Sequence, residues 1–230
     1  TREIKNTYGT RQLAPMTRMW IFGQLEEQLR KAADSKADAS DPKIAAIKQV
    51  LDGEMPLFVS CEGLQDMILV RNITKPYDIK TVFCGGCELS GDEDWLLDQK
   101  YSLIIRRPAN PIEELTKNYI DFRGLARLLE KGMQISLGGM ASLAPREDVL
   151  WTACEFVKYV QDKEKVLSAA TYNSAKVLNI DDMTGSLEIG KRGDIVIWSD
   201  DPLVTYKARV LRTFQNGRTI YREGDEMKCL

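Results

Sequence analysis

Three cysteines carry the reactive chemistry of this chain. Cys84-Gly-Gly-Cys87 forms a C-x-x-C, and Cys61 lies on the preceding apolar segment. Paired thiolates at that spacing can ligate zinc or cycle as a redox pair. A second C-x-x-C is absent, and Gly85-Gly86 makes a poor helix start, unlike a thioredoxin-type motif. Structural thiols, a metal site and a redox pair are therefore three open readings. Asp92, Glu93 and Asp94 form an acidic cluster that reads as a solvated loop or helix cap, with metal binding as the alternative. Arg106-Arg107 follows an apolar segment and offers an anion site or solvated charge, and Glu62 stands beside Cys61. The chain has no histidine. That excludes histidine triads, histidine general bases and histidine-ligated metals within this chain.

The elements that must position these residues alternate. Thr17 to Asp34 and Pro42 to Leu51 have helical apolar spacing, the second with Pro at its first turn and Gly53 past its end. Met55 to Ser60, Thr81 to Cys84, Ser102 to Ile105 and Gln134 to Leu137 are short apolar runs of strand length. Between and after them, Gly63 to Ile73, Asp121 to Lys131, Arg146 to Val160 and Lys163 to Thr171 read as helices. Strands alternating with helices predict an α/β fold with a parallel sheet. From Ser186 onward the pattern changes to strands and tight turns. Leu187, Ile189, Ile195, Ile197 and Trp198 surround Gly190 and Gly193, and Asn216-Gly217 signals a hairpin. The expected division is residues 1–179 as a partial barrel and 180–230 as a small β-sandwich domain.

The 32 Lys and Arg against 34 Asp and Glu leave a net charge of −2, so no basic field favours nucleic acid. No apolar run approaches membrane-spanning length. Five cysteines, an odd number in a chain of 230 residues, argue against a disulfide framework.

The stretch from Leu167 to Glu223 carries a longer pattern: Thr171, Asn173, Ala175 and Lys176, then Gly185 to Gly190, then Asp194, then the hairpin RTFQNGRTIY. It resembles the C-terminal signature of the metal-dependent amidohydrolase superfamily, its imidazolonepropionase-like members in particular, with Gly193 in place of the usual Ala. The resemblance extends more weakly back to Pro56. It implies the C-terminal part of a (β/α)8 barrel, with site residues at the C-terminal strand ends, plus the C-terminal strands of a composite β-sandwich domain. Family members hold zinc or another divalent metal with two His on the first strand, one each on the fifth and sixth, and an Asp on the eighth. A Lys or Glu on the fourth often bridges. Laid on this sequence, the fifth-strand His position falls on Ser60, the sixth-strand His on Cys84 and the eighth-strand Asp on Gly138.

These losses imply no catalytic residue and no metal or other cofactor in this chain. The expectation is a non-catalytic amidohydrolase-like protein that binds a small molecule or supports a partner, with Glu62, Cys87, Arg106 and Arg107 lining a pocket. Two alternatives stand beside it. One is part of an active amidohydrolase acting on C–N bonds of a cyclic or linear amide, whose ligands lie in an N-terminal segment or partner chain. The other is a structural interaction subunit. The resemblance covers only the second half of a barrel. A complementary segment or partner chain is therefore expected to complete it, with oligomer formation and no nucleic-acid or membrane partner. Reduced cysteines favour the cytoplasm, and the start at Thr1 without Met suggests a fragment or processed product.

Overall fold

The computed structural model describes residues 17–34, 38, 40–88, 94–97, 101–106, 120–139 and 148–224. The chain divides into two compact units, residues 1–55 with 68–80, and residues 56–67 with 81–230.

In the first unit, α1 (Arg18–Ala33) packs against α2 (Pro42–Leu51) and buries Leu29, Ala32 and Val50. Their starts are set locally. Thr17 Oγ1 accepts from the Trp20 N–H at 3.2 Å and Asp41 Oδ1 from the Lys43 N–H at 2.8 Å, which satisfies helix donors that would otherwise be orphaned. Helix α3 (Leu64–Thr74) starts in the second unit and ends in the first, followed there by a 3-10 turn at Lys75–Tyr77.

The second unit holds a parallel sheet of β1 (Leu57–Gly63), β2 (Thr81–Glu88), β3 (Tyr101–Arg106) and β4 (Gln134–Gly138), in that spatial order. Strands β1 and β4 are its edges among the described residues. The expected α/β order with a parallel sheet is what the chain adopts. Strand β2 runs four residues past the apolar run that marked it, to Glu88, because backbone pairing with β1 and β3 continues through Gly85. Backbone pairing does not require apolar side chains, so composition underestimates strand length here.

Four helices follow in this unit: α4 (Phe122–Glu130), α5 (Asp148–Phe156), α6 (Lys163–Ala170) and α7 (Tyr172–Val177), all packed on β4. Asp121 caps α4 through Gly124 N–H at 2.9 Å. Gly132, at φ +95°, turns the chain out of that helix. The helix expected from Arg146 is shorter at its C-terminal end, stopping at Phe156.

A separate antiparallel sheet contains β5 (Ile195–Trp198), β6 (Val210–Gln215) and β7 (Arg218–Arg222). The β6–β7 turn places Asn216 and Gly217 at φ +49° and +75°, the signs a type I′ hairpin needs. Leu187 and Ile189, expected in a strand, are instead 80% and 108% exposed in an irregular segment. Their alternation resembles a strand, but among the described residues no strand pairs with them.

The signature residues of this region are structural. Asn173 Nδ2 donates to the Ile135 carbonyl of β4 at 2.8 Å, and Gln134 Nε2 donates back to the Asn173 carbonyl at 3.2 Å. Asp194 Oδ1 accepts from the Asn216 N–H at 2.7 Å, as the sequence suggested for a turn carboxylate. Lys191 Nζ donates to Ser186 Oγ at 2.6 Å and lies 5.7 Å from the Tyr172 ring centroid. Lys163 Nζ meets Asp201 Oδ2 at 2.6 Å, and that bond, with the Leu203 N–H, holds the Asp201 carboxyl below its usual range.

Gly185 is required for two reasons. Its φ is +95°, and an added Cβ would sit 2.6 Å from Ala175 Cβ and 3.1 Å from Tyr172 Cα. Gly190 shares the backbone conformation, at φ +96°, but nothing lies within 4 Å of its Cβ position. Gly185→Ala should therefore lower stability by about 2–3 kcal/mol, from overpacking plus backbone strain. Gly190→Ala should cost about 1 kcal/mol, from strain alone. Urea denaturation of the two variants checks the difference.

Candidate functional site

The four parallel strands are paired in register, and this aligns residues distant in sequence. Ser60 pairs with Cys84, Cys84 with Ile104, and Ile104 with Ser136, forming one row across the sheet. One pleat earlier lies the row Phe58, Val82, Ser102 and Gln134; one pleat later, Arg106 pairs with Gly138. Side chains two apart on a strand share a face, so all these positions belong to one face of the sheet. The intervening residues Phe83, Leu103, Ile105, Ile135 and Leu137 are at most 4% exposed. Ser60, by contrast, is exposed, and Cys84 and Ile104 are half-buried.

This face is where the sequence placed the family's ligand positions. Ser60 and Cys84 are cross-strand neighbours, about 5 Å apart in backbone spacing. Gly138 ends β4 on the same face. Its Cβ position is already filled: an added Cβ would lie 2.8 Å from Ile104 Cγ2. The same hydrophobic-S-T-D pattern, shifted two residues onto Leu137 to Met140, puts the carboxylate position on Met140, outside the described residues. Neither register supplies a carboxylate.

The remaining expected residues fall as follows. Cys61 is 2% exposed and faces away from Ser60 by strand alternation. Glu62 lies at the irregularity in β1 between Cys61 and Gly63, Cys87 lies near the end of β2, and Arg106 is the last residue of β3. The side chains of Glu62, Cys87, Arg106 and Asp94 lie outside the described set, as do Arg107, Asp92 and Glu93 altogether. The sheet thus brings Glu62, Cys87 and Arg106 to the C-terminal ends of three adjoining strands. Cys61, Cys84 and Cys154 are outside any disulfide. Among the described residues, no group of three or more Cys, Asp or Glu is placed to hold a metal ion.

Two residues of the face were not singled out by sequence reasoning. Ile104 supplies the methyl over Gly138. Ser136 is 2% exposed, and its Oγ is buried with no hydrogen-bond partner. The parity of Gln134, Ser136 and Gly138 was the available signal for Ser136. Which side chain leans over Gly138 left no trace in the sequence.

A model of the amidohydrolase family matches residues 78–220. An imidazolonepropionase from Picrophilus torridus is 31% identical over 104 residues, 42% of this chain and 26% of the relative. One from Bacillus cytotoxicus is 26% identical over 122 residues, 48% of this chain and 29% of the relative. The chain thus spans between a quarter and a third of the length of these curated relatives. Among solved structures, an amidohydrolase from Thermotoga maritima superposes with a TM-score of 0.78 at 24% identity, covering 90% of this chain and 57% of that one. A likeness at that identity establishes the shared fold.

The Ile104 methyl gives a direct test of the geometry. Gly138→Asp should destabilise by about 1–3 kcal/mol, because the new Cβ meets a branched side chain that cannot swing clear. Adding Ile104→Ala should make the combined loss smaller than the sum of the two single losses by about 1 kcal/mol, the coupling expected for residues in contact. A double-mutant cycle by chemical denaturation reads it.

Proposed function

The chain belongs to the amidohydrolase family, and we propose that it is a member without a catalytic metal centre of its own, using its half-barrel to bind a small molecule or support a partner. The observation that carries this reading is the row of family ligand positions. Ser60 offers a neutral hydroxyl, Cys84 a single thiol and Gly138 no side chain, with the Ile104 methyl in the space a carboxylate would need. A divalent metal in a catalytic site takes nitrogen, sulfur or carboxylate ligands and keeps one position open for water. One thiol and a hydroxyl do not meet that demand. The family's hydroxide near neutral pH depends on the metal, so no hydrolytic step is derived for these residues.

What the face offers instead is uncharged polar surface. Ser60, Ser102, Ser136 and Cys84 can donate or accept hydrogen bonds to a small ligand. At the strand ends, Glu62, Cys87, Arg106 and Arg107 are the proposed lining of its mouth, where a barrel's ligand face lies. Strand edges expose unpaired backbone groups, and both β1 and β4 are edges among the described residues. None of the residues in β5, β6 or β7 is fully buried either. These edges and this thin sheet support a complement, from another part of the gene product or from a partner chain, that closes the barrel and covers the small sheet.

A second reading follows from coverage. Most of each imidazolonepropionase relative lies outside the aligned region. A complement bringing its own ligands would then make an active hydrolase of the assembly.

Elemental analysis of the purified chain separates the readings at the metal. The expected result is zinc, iron and manganese far below one per chain; near-stoichiometric metal would overturn the proposal. The triple variant Ser60→His, Cys84→His, Gly138→Asp should still show no turnover of an amide or lactam substrate, because restored ligands lack the partners that orient them.

A further inference from the structure

On the outer surface of the second unit, away from the strand-end site, α4 carries a row of cations. Arg123, Arg127 and Lys131 follow one another at four-residue spacing, and all three are exposed. Residues four apart share a helix face. Each step along the row rises about 6 Å, about 12 Å in all. The row borders a groove of about 420 Å³ that is floored by Ala126, 4% exposed, and closed at one end by Tyr159 and Gln161.

The groove is built rather than incidental in two respects. Its Arg123 end is held in place: the guanidinium lies 5.9 Å from the Tyr159 ring centroid, and Tyr159 stacks with Phe122 at 6.0 Å and 7°. Its carboxylate is already engaged: Glu130 Oε1 accepts from the Gln161 N–H at 3.3 Å, and Oε2 meets Lys165 Nζ at 3.1 Å. Positive charge is thus concentrated on one helix face of a chain whose net charge is −2.

We infer that this groove docks a short, extended acidic segment of a partner protein. Carboxylates on alternate residues of an extended chain stand about 6.7 Å apart, close to the spacing of the cations. Three cations match a segment of about five residues, and Tyr159 adds a hydroxyl at one end. A long polyanion such as nucleic acid fits less well, because outside this row the chain's net negative charge repels it.

The test is fluorescence anisotropy of the full chain with a labelled Glu-Ser-Glu-Ser-Glu peptide. An all-serine peptide and a labelled five-residue oligothymidine serve as comparisons. Binding of the acidic peptide should weaken steeply between about 0.05 M and 0.3 M salt, as expected for exposed charges about a Debye length apart. The variant Arg127→Glu/Lys131→Glu should bind about tenfold more weakly or worse, since like charges would then face each other. Arg127→Gln/Lys131→Gln, which adds no repulsion within α4, should also weaken binding, with an unchanged circular dichroism spectrum as the folding control. The inference is overturned by any of three results: acidic peptide binding no better than the serine peptide, tighter binding of the oligothymidine, or affinity unchanged in the glutamine variant.

Discussion

Pairing between parallel strands fixes both who stands beside whom and which way each side chain points. Once Ser60 is opposite Cys84 and Cys84 opposite Ile104, a slip of one residue would turn every buried aliphatic of β2 and β3 to the other face. The burial of Phe83, Leu103, Ile105, Ile135 and Leu137 therefore locks the register. The locked register in turn puts the former ligand positions in one row. The same constraint that stabilises the sheet preserves the outline of a site whose chemistry has changed.

The helices behind β4 transmit that order to the small sheet. Asn173 in α7 and Gln134 in β4 exchange side-chain and backbone hydrogen bonds, so the start of α7 is tied to the strand. From α7, Ala175 packs under Gly185, and Lys191 reaches Ser186 and the Tyr172 ring. Gly193 then lies close enough to Gly217 that an added Cβ would sit 2.9 Å from its backbone nitrogen. This explains why a small residue is needed there and why Gly serves. The signature that identifies the family is thus a mechanical linkage, and it can persist when the metal ligands do not.

Removing a metal site from an inherited barrel leaves space and unmet polarity. Here the space at Gly138 is taken by Ile104, an apolar solution that needs no hydrogen-bond partner. At Ser136 the hydroxyl remains buried without a partner, at a cost of about 1–3 kcal/mol for such a group. The two neighbours show both outcomes: refilling at one position, and retained polarity that a bound ligand or covering segment can satisfy at the other.

Much of this fold was legible because its determinants are local. Thr17, Asp41 and Asp121 cap helices within three residues of themselves, Gly132 ends one, and Asn216-Gly217 makes its own turn. Such interactions are written in adjacent letters. The parallel sheet followed from the alternation of apolar runs with helical spacing, and Ser60, Cys84 and Gly138 were placed by pattern. Three features were decided only in three dimensions. Strand β2 extends to Glu88 because its neighbours pair with it, not because its residues are apolar. Leu187 and Ile189 alternate like a strand, yet they stay outside one because a strand needs a partner. The Ile104 methyl fills the space above Gly138 across thirty-four residues of chain, and only the register of two strands brings them together. A sequence encodes turns and caps directly, but contacts between distant residues exist only once the chain has closed on itself.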